Sequence, residues 1–114
     1  MIEVILKNYL DTVIRDVPVV FEVPETFPDK LITLERIGGS VSNHVRHASF
    51  AIQSWAGSLY DAALLDERVR LAMDQMADNT KVGGCHMASN YNFTDERTKR
   101  YRYQCTYEIY YVED

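Results

Sequence analysis

The chain has 114 residues, of which 25% are charged and 46% are hydrophobic, and its formal net charge is −5. These values are typical of one folded globular domain and exclude disordered and collagen-like classes. The negative charge disfavours a protein that binds duplex DNA by neutralising its phosphates. No apolar segment reaches the roughly 18 residues of a membrane helix, and the N-terminus does not resemble a signal peptide, so we expect a cytoplasmic protein without membrane contacts.

Hydrophobic periodicity predicts two amphipathic helices. In residues 2–14 apolar side chains recur every three or four positions and form one stripe. Residues 59–77 show the same period, and Ser58 stands three positions before Asp61 as a capping pair. We expect the charged residues of this second helix, Asp66 among them, to lie mostly opposite or beside its apolar face.

Alternation of apolar and polar residues predicts five strands. Pro18 has no backbone N–H to donate to a neighbouring strand, so the first strand is expected at a sheet edge, or with this residue at its start. The element order α-β-β-β-α-β-β predicts a single α+β domain over residues 1–114, with a mostly antiparallel sheet and both helices packed on one face. The predicted strands are residues 17–23, 30–37, 47–56, 82–93 and 100–112.

Two polar segments are predicted as loops. Residues 40–47 follow a Gly-Gly pair, and residues 94–99 are a charged connection between the last two strands. His44 and His47 lie three positions apart in the first loop, with no cysteine or carboxylate cluster beside them. We therefore interpret them as solvated loop residues in preference to a metal site or an acid–base site.

The two cysteines, Cys85 and Cys105, have neither the spacing of a zinc site nor the number needed for a disulfide framework. Each has apolar or aromatic neighbours, as a cysteine that packs like a small hydrophobic residue does. No nucleophile motif or phosphate loop is present. We therefore predict a protein that is not an enzyme, with no cofactor, no metal and no catalytic residue.

Aromatic residues are concentrated near the C-terminus, where six of the eight tyrosines lie from Tyr91 onward. The last predicted strand places most of them on one face, while Tyr110 and Tyr111 point to opposite faces. Such a face lines a core, stacks bases or forms a subunit interface. Base stacking requires a basic groove beside the rings, but acidic residues lie among the nearby basic ones. The pattern therefore favours a core or an interface. Trp55 is expected to face away from Phe50 and Ile52. Aromatic side chains on both faces of a sheet suggest that one face contacts another subunit.

Four segments resemble a known family over nearly the whole chain. They are MIEVILKNYLDTVI, VPVVFEVPETFPDKLITLERIGGS, ASFAIQSWAGSLYDAALLDERVRLAM and RYRYQCTYEIYY. In these segments the chain resembles the small tail terminator, or tail completion, proteins of long-tailed phages and prophages of Gram-positive bacteria. The resemblance implies a structural protein of the virion tail, assembled in the host cytoplasm. It implies a ring, usually a hexamer, that caps the tail tube and stops its polymerisation.

The expected partners follow from that role. They are further copies of the chain, the tail tube protein and the head–tail connector protein, while DNA passes through the ring without specific binding. For lateral contact between subunits we expect Trp55, Tyr101, Tyr103, Tyr110 and Tyr111. For axial or luminal contact we expect His44, Arg46, Arg97, Lys99 and Arg100.

Other functions remain open at this point. Another ring of the head–tail connector, of the head completion or minor capsid type, has a similar size and also lacks an active site. A small ligand-binding or regulatory α+β domain is the alternative from another class, and it requires a concave apolar pocket with a few polar groups. An enzyme that uses His44, His47 or Cys85 is a third alternative.

Overall fold

The secondary structure follows the predicted order, with shifted boundaries. A computed structural model of the chain describes residues 1–112. Its elements are α1 (Ile2–Val13), β1 (Val19–Val20), β2 (Lys30–Ser42), β3 (Val45–Ala56), α2 (Leu59–Asp74), α3 (Met76–Asn79), β4 (Gly84–Asn92) and β5 (Tyr101–Tyr111).

The five strands form one mixed sheet in the order β1-β2-β3-β5-β4. Three of its four strand pairs are antiparallel, which confirms the α+β class and the mostly antiparallel sheet, whereas β1 runs parallel to β2. The backbone N–H of Ile32 donates to the carbonyl of Pro18 at 2.9 Å. In this strand order the short strand β1 lies at the edge of the sheet, as expected beside a proline.

Helices α1 and α2 pack on the same face of the sheet, as predicted. Leu10 of α1, Phe50 of β3 and Met73 of α2 are fully buried in one hydrophobic core between the helices and the sheet. The hydroxyl of Tyr9 donates to the carbonyl of Ala72 at 2.5 Å and joins the two helices. Burial of each large apolar side chain stabilises the fold by about 1.5–3 kcal/mol. The core therefore holds the helices in place on the sheet.

The prediction that Asp66 lies mostly opposite or beside the apolar face of α2 is wrong. Its side chain is 2% exposed. One carboxylate oxygen accepts a hydrogen bond from Arg70 Nε at 3.0 Å, and both oxygens lie 3.0 Å from Asn90 Nδ2. A buried charge persists only where it is paired and hydrogen-bonded, and these two donors meet that need. Asp66 thus connects α2 to the outer strand β4.

The predicted loop at residues 40–47 is instead the end of a long hairpin. Strands β2 and β3 continue to Ser42 and from Val45, and only Asn43 and His44 form the turn. Both turn residues have positive φ, 51° and 68°, as a two-residue type I′ turn requires. The alternation of apolar and polar residues fails here because this part of β2 is exposed and buries neither face.

The turn of this hairpin and the β4–β5 loop lie at opposite ends of the sheet. In the register of β3 with β5, Arg46 pairs with Tyr111 and Ala56 pairs with Tyr101. At about 3.4 Å per residue, the length of β5 separates the two ends by roughly 34 Å. The molecule is correspondingly long, with extents of 45 × 25 × 24 Å.

Candidate interaction surfaces

The sheet face away from the helices, here called the open face, carries a row of hydrogen-bonded polar side chains. Thr33 Oγ1 donates to Gln53 Oε1 at 3.2 Å, and Gln53 Nε2 donates to Gln104 Oε1 at 2.7 Å. Gln104 then donates to the hydroxyl of Tyr91. These residues stand opposite one another in the strand register, so the row crosses β2, β3, β5 and β4. The row therefore satisfies these polar groups within the chain.

Next to this row, three aromatic rings and two guanidinium groups contact one another in an arrangement here called the aromatic ladder. Arg100 lies 4.2 Å from the ring centroid of Phe27, which is 5.2 Å from that of Trp55. Arg102 lies 4.6 Å from the Trp55 ring and 4.3 Å from the Phe93 ring. Burial among these rings lowers the pKa of Arg102 below its ordinary value. Each cation–π contact stabilises by roughly 0.5–1 kcal/mol at exposed sites, so the ladder holds loops and strands together.

Trp55, a predicted lateral contact, belongs to this ladder and faces away from Phe50 as expected. Its side chain donates to Thr33 Oγ1 at 3.1 Å, and the residue is only 6% exposed. A neighbouring subunit at this position would therefore meet the outer members of the ladder before the indole. The sequence pattern does not single out Phe27 as a member of this cluster, because it lies in an irregular segment between two prolines.

The tyrosines predicted for lateral contact divide between the two faces of β5. Tyr107 is fully buried in the core. Tyr101 and Tyr103 lie half-buried on that same face, and Tyr111 packs against the core cluster. Tyr110 is exposed on the open face. The tyrosine-rich face of β5 thus faces the helices, and Tyr110, on the other face, is the most exposed of these tyrosines.

At the hairpin end, Tyr110 stacks on His47 with ring centroids 5.0 Å apart. His47 Nε2 lies 2.5 Å from a carboxylate oxygen of Glu108, and His47 Nδ1 lies 3.2 Å from the hydroxyl of Ser40. The interpretation of His47 as a solvated loop residue is therefore wrong. The hydroxyl of Ser49 donates to the same Glu108 oxygen, and this bond, followed by the contact with His47, lowers the pKa of Glu108.

The residues predicted for axial or luminal contact form two groups at opposite ends of the molecule. His44 lies in the hairpin turn, and Arg46 is exposed two residues further along β3. Arg97, Lys99 and Arg100 lie in the β4–β5 loop, where Lys99 adopts a left-handed backbone conformation with φ 57°. The structure therefore does not bring these five residues together.

The two cysteines do not face each other. In the register of β4 with β5, Cys85 pairs with Ile109 and Cys105 pairs with Asn90, and both thiols are free. Burial raises the pKa of Cys85 to about 11 and that of Cys105 further above its ordinary value. Neither thiol is activated as a nucleophile, because reactivity requires the thiolate. Within residues 1–112, no group of three or more His, Cys, Asp or Glu side chains is arranged to hold a metal ion.

No protein-family model matches the chain, and no curated protein matches it significantly. None of the helices in the described part of the chain has both the length and the apolar character needed to cross a membrane.

Proposed function

We propose that this chain is a structural tail terminator of a long-tailed phage or prophage, and that it forms a ring between the tail tube and the head connector. The observation that carries the proposal is the placement of two charged contact groups at opposite ends of a domain 45 Å long. Such a domain reaches one partner with the hairpin turn and another with the β4–β5 loop. The four segments that resemble the family supply α1, β1 and β5, and most of β2, β3 and α2.

A closed ring needs two different patches on each subunit, because its interface is heterologous. The sheet offers two such patches along its length. Strand β4 forms one edge, and the part of β2 beyond β1 forms the other. Ile37 on β2 is 54% exposed and Met87 on β4 is 48% exposed. Edges with free backbone groups and apolar side chains favour pairing with another chain, which supports lateral contact between subunits.

Inactivation of the gene in the phage that carries it tests the role directly. Without a terminator, we expect tail tubes of uncontrolled length and heads that remain unjoined. Electron microscopy of the lysate measures both properties. Tails of normal length beside unjoined heads would instead identify a connector ring, and fully normal virions would refute any role in head–tail joining.

Light scattering on the purified protein tests the ring, with and without added tail tubes. We expect a species of about six times 13.2 kDa. Ile37→Asp and Met87→Asp should each abolish this species without unfolding the monomer, since both side chains are exposed. Tyr60→Asp is the matched control, because Tyr60 is exposed on α2 and does not belong to either edge strand. Equal loss in all three variants would contradict assembly through the sheet edges.

A further inference from the structure

The β4–β5 loop borders a pocket of about 490 Å³ at the end of the sheet opposite the hairpin turn. Phe27 and Trp55 line it, together with three cationic side chains, those of Lys30, Lys99 and Arg100. We infer that this pocket binds a carboxylate-bearing peptide segment of the axial partner protein. Its volume is within the range of about 300–1,000 Å³ of ordinary ligand sites and accommodates a few side chains.

The three cations are available to such a segment. Within residues 1–112, none of them has a carboxylate within ion-pair distance. The Arg100 guanidinium is already held over the Phe27 ring at 4.2 Å. A guanidinium fixed in this way binds a carboxylate with less loss of side-chain entropy, and its planar donors match the two carboxylate oxygens.

The same pocket is poorly suited to nucleic acid. Base stacking needs an open aromatic face, but Arg100 and Arg102 cover the rings of Phe27 and Trp55. Asp29 and Asp61 also line the pocket. These carboxylates repel any anionic group, but the backbone N–H groups of a peptide can donate to them, whereas a phosphodiester backbone has no donor to offer. The mixed charge of the pocket therefore favours a peptide in which acidic side chains alternate with backbone donors.

This inference rests on the proposed function only for the identity of the axial partner. The binding chemistry belongs to the pocket itself and is measured without a phage. Binding of an acidic peptide by a protein whose gene is dispensable for tail assembly would refute the proposed function alone. A proven terminator that fails to bind acidic peptide in this pocket would refute the present inference alone.

Trp55 is the only tryptophan of the chain and lines the pocket, so its fluorescence reports binding directly. The probes are an acetylated Glu-Leu-Asp amide, its Gln-Leu-Asn counterpart and deoxyadenosine monophosphate. We expect saturation by the acidic peptide with a Kd of about 1 mM or tighter, and at least about tenfold weaker binding of the other two. No saturation by the acidic peptide, or equal binding of either other probe, would overturn the inference.

Variants locate the site. Arg100→Gln should weaken binding of the acidic peptide about tenfold. Lys99→Gln should weaken it severalfold and leaves the aromatic ladder intact, so it tests the pocket even if Arg100→Gln does not fold. Lys81→Gln is the control, because Lys81 is an exposed cation that neither lines the pocket nor belongs to either contact group. If Lys81→Gln weakens binding as much as Lys99→Gln, the peptide responds to the general surface charge and the pocket assignment is wrong.

Discussion

Replacement of Asp66 by alanine tests whether one buried carboxylate fastens α2 to the outer strand. The carboxylate is 2% exposed and is contacted by Arg70 and Asn90 at 3.0 Å. Loss of one partner of a buried ion pair costs about 3–5 kcal/mol when the remaining charge stays buried. The Arg70 side chain is 36% exposed and turns to water more easily. We therefore expect the free energy of unfolding to fall by about 3 kcal/mol, the lower end of that range.

Urea denaturation followed by circular dichroism measures this change. With a slope of about 1–3 kcal/mol per molar urea, the midpoint should fall by roughly 1–3 M at an unchanged slope. Asp74→Ala is the control, because Asp74 is exposed on the same helix, and it should change stability by less than about 0.5 kcal/mol. If both variants unfold at the same midpoint, the Asp66 contacts do not stabilise the packing of α2 and the reasoning fails.

Three further predictions follow from local contacts. The hydrogen bond from Ser49 lowers the pKa of Glu108 in the folded protein. The ionised carboxylate therefore stabilises the fold above the unfolded-state pKa, and this contribution is lost as the pH falls through the lowered folded-state pKa. Urea midpoints of Glu108→Gln should depend less on pH between about 3 and 7 than those of the unaltered protein. Gly39→Ala places Cβ 2.6 Å from the carbonyl oxygen opposite and should cost about 1–3 kcal/mol in thermal unfolding, whereas Gly38→Ala, with no atom within 4 Å, should not. With its pKa raised to about 11, Cys85 should react slowly with iodoacetamide until the protein is unfolded, and rapid labelling of the native protein in mass spectra would contradict this.

The fold class was predictable because the helices and central strands each bury one regular face. Ser58 also caps α2 as predicted, its hydroxyl accepting from the N–H of Asp61 at 3.1 Å. The direction of β1 was not predictable, because alternation indicates which face is buried and not which way a neighbouring strand runs. The outer hairpin was missed for a related reason. Its residues bury neither face, so their polar composition is that of a loop although the backbone pairs as a strand.

The candidate contact surfaces were less predictable because they depend on residues distant in sequence. Asp66 meets Asn90, 24 positions later, and helical periodicity contains no information on that partner. Phe27 reaches the indole of Trp55 from an irregular segment, and the register of β3 with β5 places Arg102 opposite that residue. What the sequence indicated correctly is that Trp55 faces away from the hydrophobic core. What covers Trp55 depends on the sheet order.

In the proposed ring, lateral and axial contacts lie on different parts of the molecule, and that separation predicts a distinctive mutational pattern. The sheet edges that carry Ile37 and Met87 run along the length of the strands, whereas Lys99 and the pocket lie where the strands end. A change at an edge should therefore prevent the ring, and with it all capping of the tail tube. Lys99→Gln should leave the ring intact and weaken only its attachment to the axial partner. Rings that form normally but do not bind that partner would thus connect the pocket to assembly, because loss of the fold or of the edges removes both properties together.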